Sequence, residues 1–460
     1  MKPILPAAFL DSLDGIEGFD RKSFEKVHEN SDQPGSIRIN PLKWNKILLE
    51  DHFREIQNVP WSSFGYYLDE RPSFTFDPLF HAGAYYVQEA SSMFLEQAIR
   101  QHVDLSAKIK VLDLCSAPGG KSTLIQSLIS ADSLLVSNEA IQSRTSSLLE
   151  NCIKWGASNI LVTNNDPKDF SRLENYFDVM VVDAPCSGSG LFRKDPKAIH
   201  EWSLDQVRTC SIRQQRIISD AWPALRNEGI FIYSTCSYSK EENEVILDWM
   251  METFNCTSQP IESKFDWNIV ESLSDKFNAV GYRFYPDKTK GEGLFIACLK
   301  KQEGDHFHLS KKAPRQSGVL NSHEKYLLKD FLDTDELHFI KGKDLVWGLP
   351  EKFMNDYIPV QKYLFIKKAG ILLGKMGSGE LIPNHELALS RMIRANFPSI
   401  ELGKEEALKY LRREDIEFEK TERGWKLVKY SGQNLGWMKV LDKRANNYYP
   451  MEWRILKQKG

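Results

Sequence analysis

At 460 residues, with 42% hydrophobic side chains, the chain has room for about three domains of roughly 150 residues and is long enough to bury more than one core. Its 60 basic and 63 acidic residues leave a net charge of -3, which excludes a protein that coats nucleic acid indiscriminately but not one with a local basic surface. The seven cysteines are odd in number and widely spaced, and no pair has the interval of a zinc site or a redox dithiol, so free thiols in a reducing compartment and no metal are expected.

The first twenty residues lack a basic region followed by an apolar run, and eighteen apolar residues never stand together, which predicts a cytoplasmic protein with no membrane partner. Residues 1–100 read as an α+β region whose aromatic, proline-punctuated stretch WSSFGYYLDERPSFTFDPLFHAGAYY has no simple period and predicts loops packed on something else. Over residues 101–300 short apolar strands alternate with helix-length segments: IKVLDL and a helix from Ser122, LLVSN and a helix over 143–154, ILVT, DVMVVDA and a helix over 205–225, GIFIYSTC and a helix over 240–254. Such alternation predicts a doubly wound α/β core with a mostly parallel sheet, whose ligands bind at the carboxyl ends of the strands. A charged segment over 301–318 reads as a linker. Beyond it, glycine-spaced apolar runs predict small strands in two further domains, 319–390 and 391–460, with helices near 387–395 and 404–413. From Thr421 onward nine basic residues face three acids, which makes this tail the local basic surface.

Three segments carry chemistry. DLCSAPGGK, Asp113 to Lys121, sits where a strand gives way to a helix, and Gly119 and Gly120 allow a sharp turn and close approach of a ligand. Taken alone it is an ordinary strand-to-helix turn. Acids near the ends of the following strands, Glu139, Asp166 and Asp183, change the balance, because a carboxylate after the second strand is placed for ribose hydroxyls and one after the third for an adenine amino group. No Walker-type lysine loop is present, which favours an adenosyl cofactor over a phosphate-rich one. DAPCSGSG (183–190) and STCSYSKEENE (234–244) each put a cysteine just past a central strand. Cys186 and Cys236 are therefore expected to face one cleft beside Asp183, although a lone cysteine is more often a small buried hydrophobe.

These three motifs resemble the signatures of the Nop/Sun family of RNA cytosine-5 methyltransferases, as do SIRIN (36–40), YYVQEASSM (85–93) and GEGLFIA (291–297). GWMKVLDKRANNYYPMEWR (436–454) resembles the carboxyl-terminal PUA-like domain of bacterial ribosomal RNA members, so the likeness spans nearly the whole chain. Where many members have Pro-His before the last core strand, Pro286-Asp287 stands here. The resemblance implies a Rossmann-like core with a seven-stranded sheet, S-adenosylmethionine as cofactor, RNA as partner and no DNA. It implies Cys236 as the nucleophile that adds to carbon 6 of cytosine, Cys186 as an aid to product release, and Asp183 at the ring nitrogen. Cys115, Ser116, Ala117, Pro118, Gly119, Gly120, Lys121, Glu139, Arg144, Asp166 and Asp183 would hold the cofactor. An RNA-binding role is implied for the first 100 residues, and at the other end for Lys439, Lys443 and Arg444 on phosphates and Trp437, Tyr448 and Tyr449 on splayed bases. Ribosomal RNA of the small subunit, 16S, is the expected substrate. Transfer RNA, a noncatalytic RNA-binding assembly factor and a DNA methyltransferase using Cys186 as nucleophile are the alternatives. Nothing in the sequence requires an oligomer.

Overall fold

The computed structural model describes residues 5–30, 35–44, 49–50, 52–53, 55–302, 320–377, 379–416, 422–442 and 444–457. Most of the expected linker, and Lys443, lie outside them.

The centre is a sheet built from β1 (Lys110–Asp113), β2 (Leu134–Asn138), β3 (Ile160–Thr163), β4 (Phe177–Asp183), β5 (Leu225–Thr235), β6 (Val280–Phe284) and β7 (Leu294–Lys301). Their spatial order, within a sheet of ten strands among the described residues rather than the seven expected, is β6-β7-β5-β4-β1-β2-β3, with Val270–Leu273 beyond β6 and Cys256–Ser258 beside β7. The first five strands run parallel and β7 enters antiparallel between β5 and β6. Alternate residues separate onto two faces. Leu112, Val136, Leu161, Met180 and Phe231 join one buried cluster, while Val111, Leu135, Val162, Val181 and Ile232 join the other. A sheet covered on both sides reads as continuous apolar strands, which is why this part of the sequence was plain. Helices α1 (Gly120–Leu128), α2 (Gln142–Trp155), α3 (Leu204–Ala221) and α4 (Glu244–Thr253) follow β1, β2, β4 and β5. The chain leaves β1 for β2 on one side and returns to β4 on the other, so the crevice between β1 and β4 opens at their carboxyl ends.

Before the core, the aromatic stretch expected as loops holds two strands of a four-stranded antiparallel sheet, Gly65–Leu68 and Tyr85–Val87, which pair with Gly35–Ile39 and, through Gly65–Leu68, with Ile56–Asn58. Arg38 on that sheet is fully buried. Its guanidinium donates to the carbonyl of Thr123 (3.2 Å), to the Thr123 hydroxyl (2.6 Å), to Ser127 (2.9 Å) and to Gln88 (2.7 Å), and it lies 4.4 Å over the Trp155 ring. One arginine thus bolts the N-terminal sheet to α1.

After the core, Leu337–Lys341, Leu345–Pro350, Ile371–Met376 and Leu381–Pro383 form one sheet. Ser399–Glu401, Gly424–Tyr430, Gln433–Val440 and Ala445–Asn447 form the last, with the helix Lys404–Arg412 nearby in sequence. The helix expected near 387–395 is the single short turn His385–Leu389. The region expected as a separate domain over 319–390 lends a strand, β8 (Ile366–Ala369), to the free edge of β3. No helix among the described residues is long and apolar enough to cross a membrane.

Candidate active site

At the end of β1 the chain turns through Ser116 to Gly119, closed by the Gly119 amide on the Ser116 carbonyl (2.7 Å). Gly119 has φ 110°, a conformation that costs a side chain but not glycine, and starts α1. Glu139, just past β2, is 3% exposed. One of its oxygens accepts from the Ile141 amide (2.9 Å), while Oε2 is buried without a hydrogen-bond partner, and the Arg144 guanidinium stays 3.6 Å away. A buried carboxylate oxygen left over in this way fits a pair of ribose hydroxyls. Arg144 also donates to the Ala117 carbonyl (2.8 Å), so it braces the glycine turn. Asp166 caps the turn after β3 through the Lys168 amide (3.2 Å) and keeps its other oxygen 3.9 Å from Arg216. Burial pushes the Cys115 thiol up, which keeps it neutral within the turn. The set fits an adenosyl group.

Across the crevice the two motif cysteines converge. Cys186 Sγ and Cys236 Sγ are 3.0 Å apart, brought together because β4 and β5 are parallel neighbours with Asp183 paired to Ser234. The contact with Cys236, followed by burial, raises the Cys186 thiol well above its ordinary value. Asp183 accepts from the Ser234 hydroxyl (2.7 Å) and from Lys121 Nζ (2.8 Å). Burial works against the Lys121 ammonium, but the Asp183 carboxylate outweighs it and raises its pKa. Lys121, expected among the cofactor residues, therefore reaches from the glycine turn to the carboxylate beside the cysteines and joins the two halves of the crevice.

The expected RNA contacts fare unequally. Trp437 and Tyr449 are fully buried, and the Trp437 indole donates to the Asn384 carbonyl (2.8 Å). They are corrected from base-stacking platforms to core of the last domain, where a small sheet needs large rings to fill its interior. Tyr448 is half-buried against Trp425, at 4.5 Å between centroids. Lys439 is paired with Glu380 (2.6 Å), whereas Arg444 is exposed. Sequence reasoning missed Glu242, whose carboxylate bonds the loops of both cysteines, and the side chains of Asn138 and Asn164, which tie the ends of β2 and β3 together through the main chains of Asn165 and Glu139. Only their position immediately after or within the motifs could have singled them out.

A sheet in the order found here, with a glycine turn after β1 and an acid after β2, defines the Rossmann-like methyltransferases, whose cofactor is S-adenosylmethionine. The model of the 16S rRNA methyltransferase RsmB/F family matches residues 101–300, that of the RsmF N-terminal domain residues 5–90, and that of the RsmF PUA domain residues 397–455. Ribosomal RNA small subunit methyltransferase F of Shewanella woodyi is 30% identical over 439 residues, covering 91% of this chain and 90% of its own. The protein of the same name from Aliivibrio fischeri is 29% identical with the same coverage. Among solved structures, a methyltransferase homologue from Pyrococcus horikoshii is 27% identical with TM-score 0.51, over 65% of this chain and all of its own. NSun6 of the same organism, solved with SFG, shares the fold at TM-score 0.54 and 19% identity, over 66% of this chain and all of its own. The chain belongs to the 16S rRNA methyltransferase RsmB/F family. It is an RNA methyltransferase with a carboxyl-terminal PUA domain.

Proposed function

We propose that the chain methylates carbon 5 of a cytosine in RNA, with 16S ribosomal RNA as substrate, through a covalent bond between Cys236 and carbon 6. The observation that carries this reading is the meeting of two thiols, 3.0 Å apart, beside a Lys121–Asp183 ion pair at the mouth of an adenosyl-type crevice. Carbon 5 of cytosine is too electron-poor to attack a methyl donor unaided, so a thiolate must first add at carbon 6. Cys236 makes that bond, and negative charge develops at the ring nitrogen. Asp183 already accepts two hydrogen bonds, so the proton that neutralises this charge passes through the Lys121–Asp183 pair. S-adenosylmethionine supplies the methyl group when bound, held by the turn 115–121, Glu139, Arg144 and Asp166. Cys186, acting as a thiolate once its own proton has passed to solvent, then takes the proton from carbon 5, the Cys236 sulfur leaves carbon 6 as a thiolate, the ring nitrogen returns its proton to the Lys121–Asp183 pair, and the aromatic ring is restored. The surroundings that raise the Cys186 pKa make its thiolate a strong base, which takes this proton and keeps it. The 16S assignment follows the relatives named for small-subunit ribosomal RNA. These enzymes work where ribosomes are made, which in a bacterium is the cytoplasm.

Two variants test the mechanism. Cys236→Ala is expected to abolish methyl transfer, and Cys186→Ala to permit attack and trap a protein–RNA adduct that survives denaturing electrophoresis. Normal turnover by Cys236→Ala would refute the assigned roles. Bisulfite sequencing of ribosomal and transfer RNA with and without the gene reports the substrate.

A further inference from the structure

We propose that Glu242 is the positioning residue that sets the Cys186 and Cys236 sulfurs against one another, a role that rests on the covalent mechanism above. Its carboxylate is fully buried and takes four hydrogen bonds. Oε1 accepts from the Ser187 amide (2.8 Å) and the Gln214 side chain (3.0 Å), while Oε2 accepts from the Ser187 hydroxyl (2.5 Å) and the Ser237 hydroxyl (2.5 Å). Ser187 follows Cys186 and Ser237 follows Cys236 in the chain, so one carboxylate grips the residue next to each thiol. Gln214 adds a third hold, since it also donates to the carbonyl of Pro185 (3.1 Å) on the other side of Cys186. The main chain of Glu242 is itself anchored by the Tyr233 hydroxyl (2.7 Å) from inside the sheet.

These bonds fill the acceptor capacity of an ionised carboxylate, which has about four lone-pair sites. A buried carboxylate bonded by neutral donors is a costly way to join two loops when stability alone is at stake. It is an effective way to fix them, because charge-assisted bonds are short and directional. Glutamine in its place would turn one acceptor into a donor facing a hydroxyl or an amide. The loops would still close, through the Gly190 amide on the Cys236 carbonyl (2.6 Å) and the Tyr238 amide on Ser189 Oγ (2.9 Å), but the relative placement of the sulfurs would be lost.

The test uses the full chain and phenylarsine oxide, which bridges two thiols only when their sulfurs lie close together, with loss of water. Wild type is expected to retain one arsenical per chain against a monothiol wash, and Cys186→Ala none. In Glu242→Gln the arsenical should bind about tenfold or more weakly, and kcat should fall about 100-fold, the cost of misplacing reacting groups by near an ångström. The KM for S-adenosylmethionine should stay at its wild-type value, which a general loss of structure would not allow. Ser237→Ala removes one of the four donors and is expected to lie between the two; if Glu242→Gln does not fold, this variant decides. Wild-type arsenical affinity or wild-type kcat in the folded variants would overturn the role. A wild-type chain that leaves cytosine unmethylated while the arsenical results hold would instead overturn the function proposed above.

Discussion

Glu139 is the residue on which cofactor binding is expected to turn. Its Oε2 is sealed from solvent with no hydrogen-bond partner and only the Arg144 guanidinium at 3.6 Å to offset its charge, and a buried acceptor left without a hydrogen bond costs about 1–3 kcal/mol. Ribose hydroxyls would remove that cost on binding. Glu139→Ala is therefore expected to raise the Kd for S-adenosylmethionine by about 10- to 100-fold, since hydrogen bonds to charged groups contribute about 1.5–3 kcal/mol and 1.4 kcal/mol is tenfold. RNA affinity should not change. Isothermal titration calorimetry with the cofactor reads the first effect, and an unchanged Kd would place the ribose elsewhere. Residue type alone did not foretell which aromatics meet RNA: Trp437, Tyr448 and Tyr449 stand close together in the chain, yet Trp437 and Tyr449 are wholly interior. Which ring a small sheet swallows depends on its twist and partners, and neither is written in a single segment.

At the level of elements, the core and the carboxyl-terminal region also meet closely at the end of α2. Gly156 ends that helix at φ 82° with its amide on the Cys152 carbonyl (3.2 Å), and a Cβ placed there would collide with the carbonyl oxygen of Leu389. Gly156→Ala is expected to cost about 2–4 kcal/mol, combining left-handed strain of about 1 kcal/mol with displaced backbone. Gly432, at φ 73° with nothing within 4 Å, is the control, and Gly432→Ala should lose only about 1 kcal/mol. Urea midpoints at constant slope separate the two, and equal losses would show that the Leu389 contact yields freely. The same contrast explains what was legible. Strands β1 to β5 are apolar runs between turn signals, and their helices carry ordinary punctuation, so order and type could be read. GYYL at 65–68 could not, because Tyr66 and Leu68 enter one cluster and Tyr67 another, leaving no polar face to reveal a period of two. β8 lies within a run expected to hold small strands, but its place on the edge of β3 was hidden: Lys368 is buried in an ion pair with Glu386, a partner that sequence does not announce. The motif residues were visible because glycine turns and strand-end cysteines are local features. Glu242 and Arg38 act on segments far away in the chain, so their roles became visible only once the fold was known.

For the molecule as a whole, the junction of its parts carries a pH dependence. His385 packs edge-on to Tyr449 (5.2 Å) and Trp453 (5.1 Å), with Lys43 and His81 from the N-terminal region and Lys154 from α2 among the charges acting on it. Neither ring nitrogen has a hydrogen-bond partner. Burial, then Lys154, Lys43 and His81, push its pKa down to about 3, and burial followed by Lys154 pushes His81 down to about 4. The unfolded chain takes up these protons near pH 6.5, whereas the folded chain refuses them until far lower pH, so the unfolded state binds more protons in between. Stability is therefore intact above about pH 6.5 and is lost as pH falls below it. Asp113 acts in the opposite sense: burial raises its pKa to about 7, so the folded state holds a proton that the unfolded chain releases near pH 4, and stability declines as pH climbs between those values. The two trends overlap in a wild-type melting curve, and a variant is needed to separate them. His385→Phe keeps a ring between Tyr449 and Trp453 and removes one titrating group. The wild-type Tm minus that of His385→Phe is expected to become steadily more negative from pH 7 to pH 5 and to be constant above pH 7. A difference that stays flat across pH 5 to 7 would mean that His385 takes up its proton in the folded chain, and that water reaches the seam between the domains.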